Sequence, residues 1–155
     1  MTNVAPFPDK KYDIIYADPP WRYQNRKPSR GAAEDHYETM PLPDILNMPI
    51  GSICSENSIL FLWATYPLLP AAIETIKAWG FAYKCVAFTW IKQNKKGQGF
   101  FYGLGHWTRG NPEICLLATK GKPKRVSKNV KNLTISPLRK HSQKPDIVRN
   151  KIVQL

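Results

Sequence analysis

No stretch of this sequence runs to eighteen consecutive apolar residues, the length that marks a membrane-spanning helix. The opening MTNVAPFPDKKYD has no charged segment followed by an apolar one, so no secretion signal is expected and the chain reads as cytoplasmic. Cysteine is scarce: Cys54, Cys85 and Cys115 are odd in number and lie in or beside apolar runs. They lack the short paired spacing that zinc sites use, so buried free thiols are expected and no metal site is. Acidic residues are few as well, 11 Asp and Glu against 23 Lys and Arg, which leaves a formal net charge of +12.

That excess gathers in three places: YQNRKPSRG, IKQNKKGQG and, most densely, KGKPKRVSKNVK at 120–131. One such cluster suits a solvated surface, but three together favour a polyanion partner, nucleic acid above all. The 155 residues and 43% apolar content suit one domain over 1–155, without repeats or low-complexity segments.

Tyr12–Ala17 (YDIIYA) is a short apolar run stopped by Asp-Pro-Pro, the pattern of a buried strand that proline cannot continue. Residues 20–41 mix charge, Gly and Pro without period and read as a mobile loop, and PLPDILNMP predicts one short helix. SILFLWAT (58–65) is a second buried strand. In PLLPAAIETIKAWG the residues Leu69, Ala72, Ile73, Ile76 and Trp79 recur at helical spacing, with Gly80 placed to cap. YKCVAFTWIK (83–92) and PEICLLATKG (112–121) read as strands. KPDIVRNKIVQL reads as a helix opened by Pro145 and Asp146, with Ile147, Val148, Ile152, Val153 and Leu155 on one side. Continuous apolar strands interleaved with helices imply an α/β sandwich covered on both faces. In such sheets the ligand crevice lies beyond the carboxyl ends of the strands, where Asp18-Pro19-Pro20-Trp21 falls.

Proline offers a carbonyl without an N–H and fixes φ, so Pro19 and Pro20 would hold backbone oxygens beside the Asp18 carboxylate. Trp21 would add a flat face to stack on a base. Together they suit a planar ring bearing an amine with two hydrogens to donate; the competing reading is a strand-ending turn with a buried tryptophan. Residues 93–110, QNKKGQGFFYGLGHWTRG, are rich in glycine and aromatics, but Gly97-x-Gly99-x-x-x-Gly103 departs from the dinucleotide fingerprint and no helix follows. A flexible basic and aromatic loop that grips nucleic acid is the better reading, with Lys95, Lys96 and Arg109 on phosphates and His106 and Trp107 beside them. A metal-dependent nuclease would need clustered acids, and no second carboxylate lies near Asp18 in sequence.

The motif and its surroundings resemble the adenine-specific amino-methyltransferases with an Asp-Pro-Pro-Trp signature, the group of the messenger-RNA adenosine methyltransferase catalytic subunit and its bacterial and phage relatives. HYETM (36–40), LFLWAT (60–65), WIK (90–92), GHW (105–107), EICLLATKG (113–121) and HSQKPD (141–146) follow in the same order, nearly the whole chain. The resemblance implies a Rossmann-like fold, S-adenosylmethionine as donor, and methyl transfer to the exocyclic 6-amino group of adenine. It gives Asp18, Pro19, Pro20 and Trp21 the catalytic place, Tyr37 and Trp63 a place near the target base, and Asp18 and Lys144 contact with the cofactor. Small size without a recognition domain favours DNA over RNA.

Members of that family continue past the KP helix into a further strand and loop that complete the cofactor pocket, so this chain is short at its C-terminal end. The resemblance therefore also implies an incomplete sheet with an exposed edge, weak donor binding and association as homo- or hetero-oligomer. The competing class is a catalytically weak or inactive nucleic-acid-binding scaffold.

Overall fold

The computed structural model describes residues 6–22, 39–105 and 107–155, and Tyr37 and His106 lie outside them. Five strands form one mixed sheet: β1 (Tyr12–Ala17), β2 (Cys54–Ala64), β3 (Ala82–Gln93), β4 (Glu113–Lys120) and β5 (Leu133–Pro137), in the order β1-β2-β4-β3-β5. β1 is parallel to β2 and β3 to β5, whereas β4 runs antiparallel to both β2 and β3. The carboxyl ends of β1, β2, β3 and β5 therefore share one end of the sheet with the amino end of β4. Among the described residues the α-helices are α1 (Leu42–Leu46), α2 (Leu69–Ala78) and α3 (Asp146–Gln154). The result is the expected α/β sandwich, with a mixed sheet consistent with a Rossmann-like methyltransferase fold.

β2 explains the layering. Leu60, Leu62 and Ala64 point to one face, where they pack with Ile45 of α1 and Ala72 and Ile76 of α2. Phe61 and Trp63 point to the other, against Phe88, Trp90, Cys115 and the α3 residues Val148 and Ile152. A strand buried on both sides has no polar alternation to offer, hence the unbroken SILFLWA. α2 stops where Gly80 takes φ 82°, with Gly80 N–H on the Lys77 carbonyl and Phe81 N–H on that of Ile76, a Schellman closure at the glycine the sequence marks.

Five expectations need correction. β1 is not a buried strand: it lies at the sheet's edge, Ile15 is covered, and Ile14 and Tyr16 are 45% and 39% exposed. α3 buries Val148 and Ile152, one helical turn apart, while Ile147 and Val153 face solvent, so its packed stripe is narrower than its apolar content. Cys85 is exposed, although Cys54 and Cys115 are buried. β5 was not expected, and β2 begins at Cys54 rather than 58. Both discrepancies have one cause: β5 buries Thr134 and exposes Leu133 and Ile135, and β2 opens on the polar Ser-Glu-Asn, which inverts or dilutes the hydrophobic pattern.

Candidate active site

The end of the sheet that gathers four strand carboxyl termini carries a crevice of about 240 Å³, lined by Asp18, Pro19, Pro20, Trp21, Trp63, Ala64, Thr65, Glu113, Ser142 and Lys144. Asp18 follows the last residue of β1, Thr65 follows β2, and Glu113 opens β4. Lys144 arrives from the segment before α3, where Pro145 in extended conformation starts the helix. Residues far apart in sequence therefore meet because the strand directions agree.

Two prolines shape the turn. The Trp21 N–H donates to the Pro19 carbonyl at 2.8 Å and the Met40 N–H to the Pro20 carbonyl at 2.8 Å, which leaves each oxygen one further lone pair. The Trp21 indole N–H donates to the Trp63 carbonyl at 3.0 Å, tying the end of β1 to β2. Trp21 is 6% exposed and Trp63 1%, so both are fixed walls of the crevice, and little of the surface expected to stack on a base is open at Trp21. Trp63 in turn donates its indole N–H to the Tyr16 hydroxyl at 2.7 Å and meets Trp90 edge to face.

Charge is arranged as a chain. The Lys144 ammonium lies 3.1 Å from Asp18 Oδ2, 3.0 Å from Glu113 Oε2 and 5.6 Å over the Trp63 ring. Glu113 Oε1 receives Lys92 at 2.6 Å. Lys144, Glu113 and Lys92 are largely buried, whereas the Asp18 carboxylate is 40% exposed and faces the crevice. Burial would raise the Glu113 pKa, but Lys144 and then Lys92 outweigh it and hold the group below its usual value. Burial would lower Lys144, but Glu113 and Asp18 outweigh it and raise it. Asp18 moves the other way: burial dominates the attraction of Lys144, with Glu113 adding repulsion, so its pKa is raised.

Sequence reasoning missed Glu113, Lys92 and Tyr16. The signal for the first two was available: a carboxylate opening the apolar run EICLLAT and a lysine closing VAFTWIK put charges at strand ends where the sheet meets solvent. Glu113 also supplies the second carboxylate that the sequence around Asp18 lacks. The ammonium of Lys144 stands between the two, and among the described residues no group of three His, Cys, Asp or Glu is placed to hold a metal ion.

The loop from Asn94 to Gly110 lies at the same end of the sheet. It is pinned by Asn111, which is buried, accepts the Lys92 N–H at 3.0 Å and donates to the carbonyls of Lys92 at 2.8 Å and of Phe101. Lys95 and Lys96 are exposed, and Trp107 is wholly exposed with φ 67°. Arg109, expected on phosphates, donates from Nε to the Gly103 carbonyl at 2.9 Å and from Nη2 to that of Tyr102 at 2.8 Å, which fixes its exposed guanidinium on the loop. A turn without secondary structure has carbonyls to satisfy, and Arg109 is the donor that reaches them.

The residues fit S-adenosylmethionine by charge. The donor carries a carboxylate and two cationic centres, and the crevice sets one ammonium, Lys144, beside two carboxylates, Asp18 and Glu113.

The MT-A70 family model matches residues 12–154. The type II methyltransferase M.MunI of Mycoplasma sp is 32% identical over 175 residues, covering all of this chain and 72% of that protein. A putative N(6)-adenosine-methyltransferase MT-A70-like protein of Medicago truncatula is 32% identical over 88% of the chain, and the N6-adenosine-methyltransferase non-catalytic subunit MTB of Arabidopsis thaliana 34% over 74%. The chain spans only 21% and 15% of those two plant proteins. With the family pattern running from β1 to the end of α3 and the Asp-Pro-Pro-Trp turn at the mouth of the crevice, the chain belongs to the MT-A70 family of methyltransferases.

Proposed function

We propose that this chain transfers the methyl group of S-adenosylmethionine to the exocyclic 6-amino group of adenine in nucleic acid, DNA in preference to RNA. The observation that carries the reading is Asp18: a carboxylate at the carboxyl end of β1, open to the crevice, next to proline carbonyls with spare lone pairs. The preference for DNA is supported by the similarity to the Mycoplasma type II methyltransferase, which extends over all of this chain and 72% of that protein.

The chemistry follows from the amine. Its lone pair is delocalised into the purine, so it is a weak nucleophile. Asp18 and the Pro19 carbonyl would accept its two N–H bonds and pull electron density onto nitrogen, readying it to take up a methyl group. Bound S-adenosylmethionine supplies that methyl on a sulfonium, so the chain's work is to orient two reactants and stabilise developing charge. Trp21 and Trp63 keep the crevice walls rigid, and Lys144 and Glu113 hold the Asp18 carboxylate toward the amine. After transfer the nitrogen gives its extra proton to Asp18 or to water.

Incubation with labelled donor and matched DNA and RNA oligonucleotides, followed by digestion to nucleosides, tests this. Label on N6 of deoxyadenosine is expected; label on another atom, or none, contradicts it.

The scaffold reading is supported by similarity to non-catalytic subunits, among them MTB of Arabidopsis thaliana. Calorimetry separates the two: measurable donor affinity supports the enzyme, and nucleic-acid binding without donor binding supports the scaffold.

A further inference from the structure

The densest basic segment is not at the active site. Residues 120–131 hold Lys120, Lys122, Lys124, Arg125, Lys128 and Lys131 and no acid, and they join the end of β4 to the start of β5. β4 begins at Glu113 in the crevice wall and ends at Lys120, so its eight residues set this loop about 23 Å away, at the opposite end of the sheet.

The loop is anchored. The Lys122 N–H donates to Asn57 Oδ1 at 2.7 Å, the Ser127 N–H to the Leu155 carbonyl at 3.0 Å, and the Asn129 N–H to Ser127 Oγ at 3.2 Å. Gly121 turns the chain at φ 64°, where a Cβ would collide with the Glu56 carbonyl and the Asn57 side chain. Its cations are presented outward: Lys122, Lys124, Arg125, Lys128 and Lys131 are exposed, and none has a carboxylate within ion-pair distance among the described residues. Lys11, which donates to the Ser52 carbonyl at 2.6 Å, and Lys84, near the start of β3, add charge at the same end. Among the described residues Asp9, Asp13 and Glu56 are acids at that end, and none pairs with these cations. Unpaired like charges held on an ordered loop repel one another, a cost that a bound polyanion relieves.

We infer that the β4–β5 loop is a second nucleic-acid surface, which holds the phosphate backbone of a stretch remote from the target adenine and makes binding depend on substrate length. The inference rests on the nucleic-acid reading above but assigns this loop no part in the chemistry. In stacked duplex geometry the separation corresponds to about seven base pairs. A shorter substrate fills the crevice end without reaching the loop; a longer one engages both.

The test uses the full chain and its Lys122→Ser/Lys124→Ser/Arg125→Ser variant, with adenine-containing duplex DNA of fewer than about seven base pairs and of roughly three times that length. The native chain is expected to bind the longer DNA more tightly and with a steeper salt dependence. The variant should lose tenfold or more in affinity for the longer DNA, with a salt slope shallower by about 2–3 units, and keep native affinity and methyl transfer on the shorter one. Equal affinity of the native chain for both lengths, or equal loss on both in the variant, overturns the inference. So does a variant that loses binding to phosphatidylserine vesicles but not to the longer DNA, which would make the loop a membrane surface. Length-dependent binding that the variant loses, without methyl transfer by the native chain, would uphold this surface and refute the enzymatic reading.

Discussion

Lys144 is held between two carboxylates, its ammonium 3.0 Å from Glu113 and 3.1 Å from a single oxygen of Asp18. A lysine paired with Asp18 alone would neutralise the acceptor that the amine needs. Shared with Glu113, it orients Asp18 and leaves one carboxylate oxygen free for the crevice.

Glu113→Gln is therefore expected to do two things. Stability should fall by roughly 1–3 kcal/mol, less than the 3–5 kcal/mol of an isolated buried pair because Lys144 keeps Asp18 as a partner. Lys144 should draw closer to Asp18, so the rate should fall even where the fold survives. Urea unfolding and single-turnover transfer rates measure the two separately; unchanged values in both would mean that Glu113 does not govern the pair.

The pH dependence of stability has a definite sign at each group. Glu113 lies below its usual 4.5, so its contribution is complete above that pH and is lost as pH falls through the lower folded value. Lys144 lies above its usual 10.5, so its contribution is complete below 10.5 and is lost as pH rises through the higher folded value. Asp18 is raised above 3.8 and acts oppositely, with stability declining as pH rises from 3.8 through its folded value. Unfolding free energy across pH should show a neutral plateau whose acid fall is softened in Glu113→Gln; an identical acid fall in that variant would contradict the assignment.

Activity should follow Asp18 rather than Glu113 on the acid side. The acceptor must be ionised, and burial raises its pKa from the ordinary value, so kcat/KM should begin to fall at a higher pH than an ordinary aspartate would give. An acid limb at or below 3.8 would show that another group carries it.

Asn111→Ala removes the side chain that joins the end of β3 to the Asn94–Gly110 loop through three backbone partners. Leaving these buried groups unpaired should cost about 1–3 kcal/mol. Hydrogen exchange should rise in that loop first, and uniform exchange change across the sheet would contradict a local role.

What sequence could show here depended on whether a residue's role is local. The central strands and α2 were readable because burial on both faces makes SILFLWA continuously apolar, and because Gly80 ends its helix by its own backbone freedom. β5 was not, since it buries Thr134 and turns Leu133 and Ile135 outward. Asp18 and Lys144 could be picked out by resemblance, but Glu113, Lys92 and Tyr16 become neighbours of the site only when strand order is known, and no local pattern states that order. The same holds for the basic segment 120–131, whose charge was plain but whose place at the far end of the sheet follows from the direction of β4.

The most direct measurement is the methyl-transfer rate of Asp18→Ala beside that of the native chain, on adenine-containing DNA with labelled donor, with the melting temperature of both recorded. Asp18 is 40% exposed at the end of a strand, so the variant should fold with a melting temperature close to that of the native chain. Its rate should fall by roughly 10²–10³-fold, the scale of losing one hydrogen-bond partner that acts on developing charge. A folded variant that transfers methyl at the native rate would contradict the account.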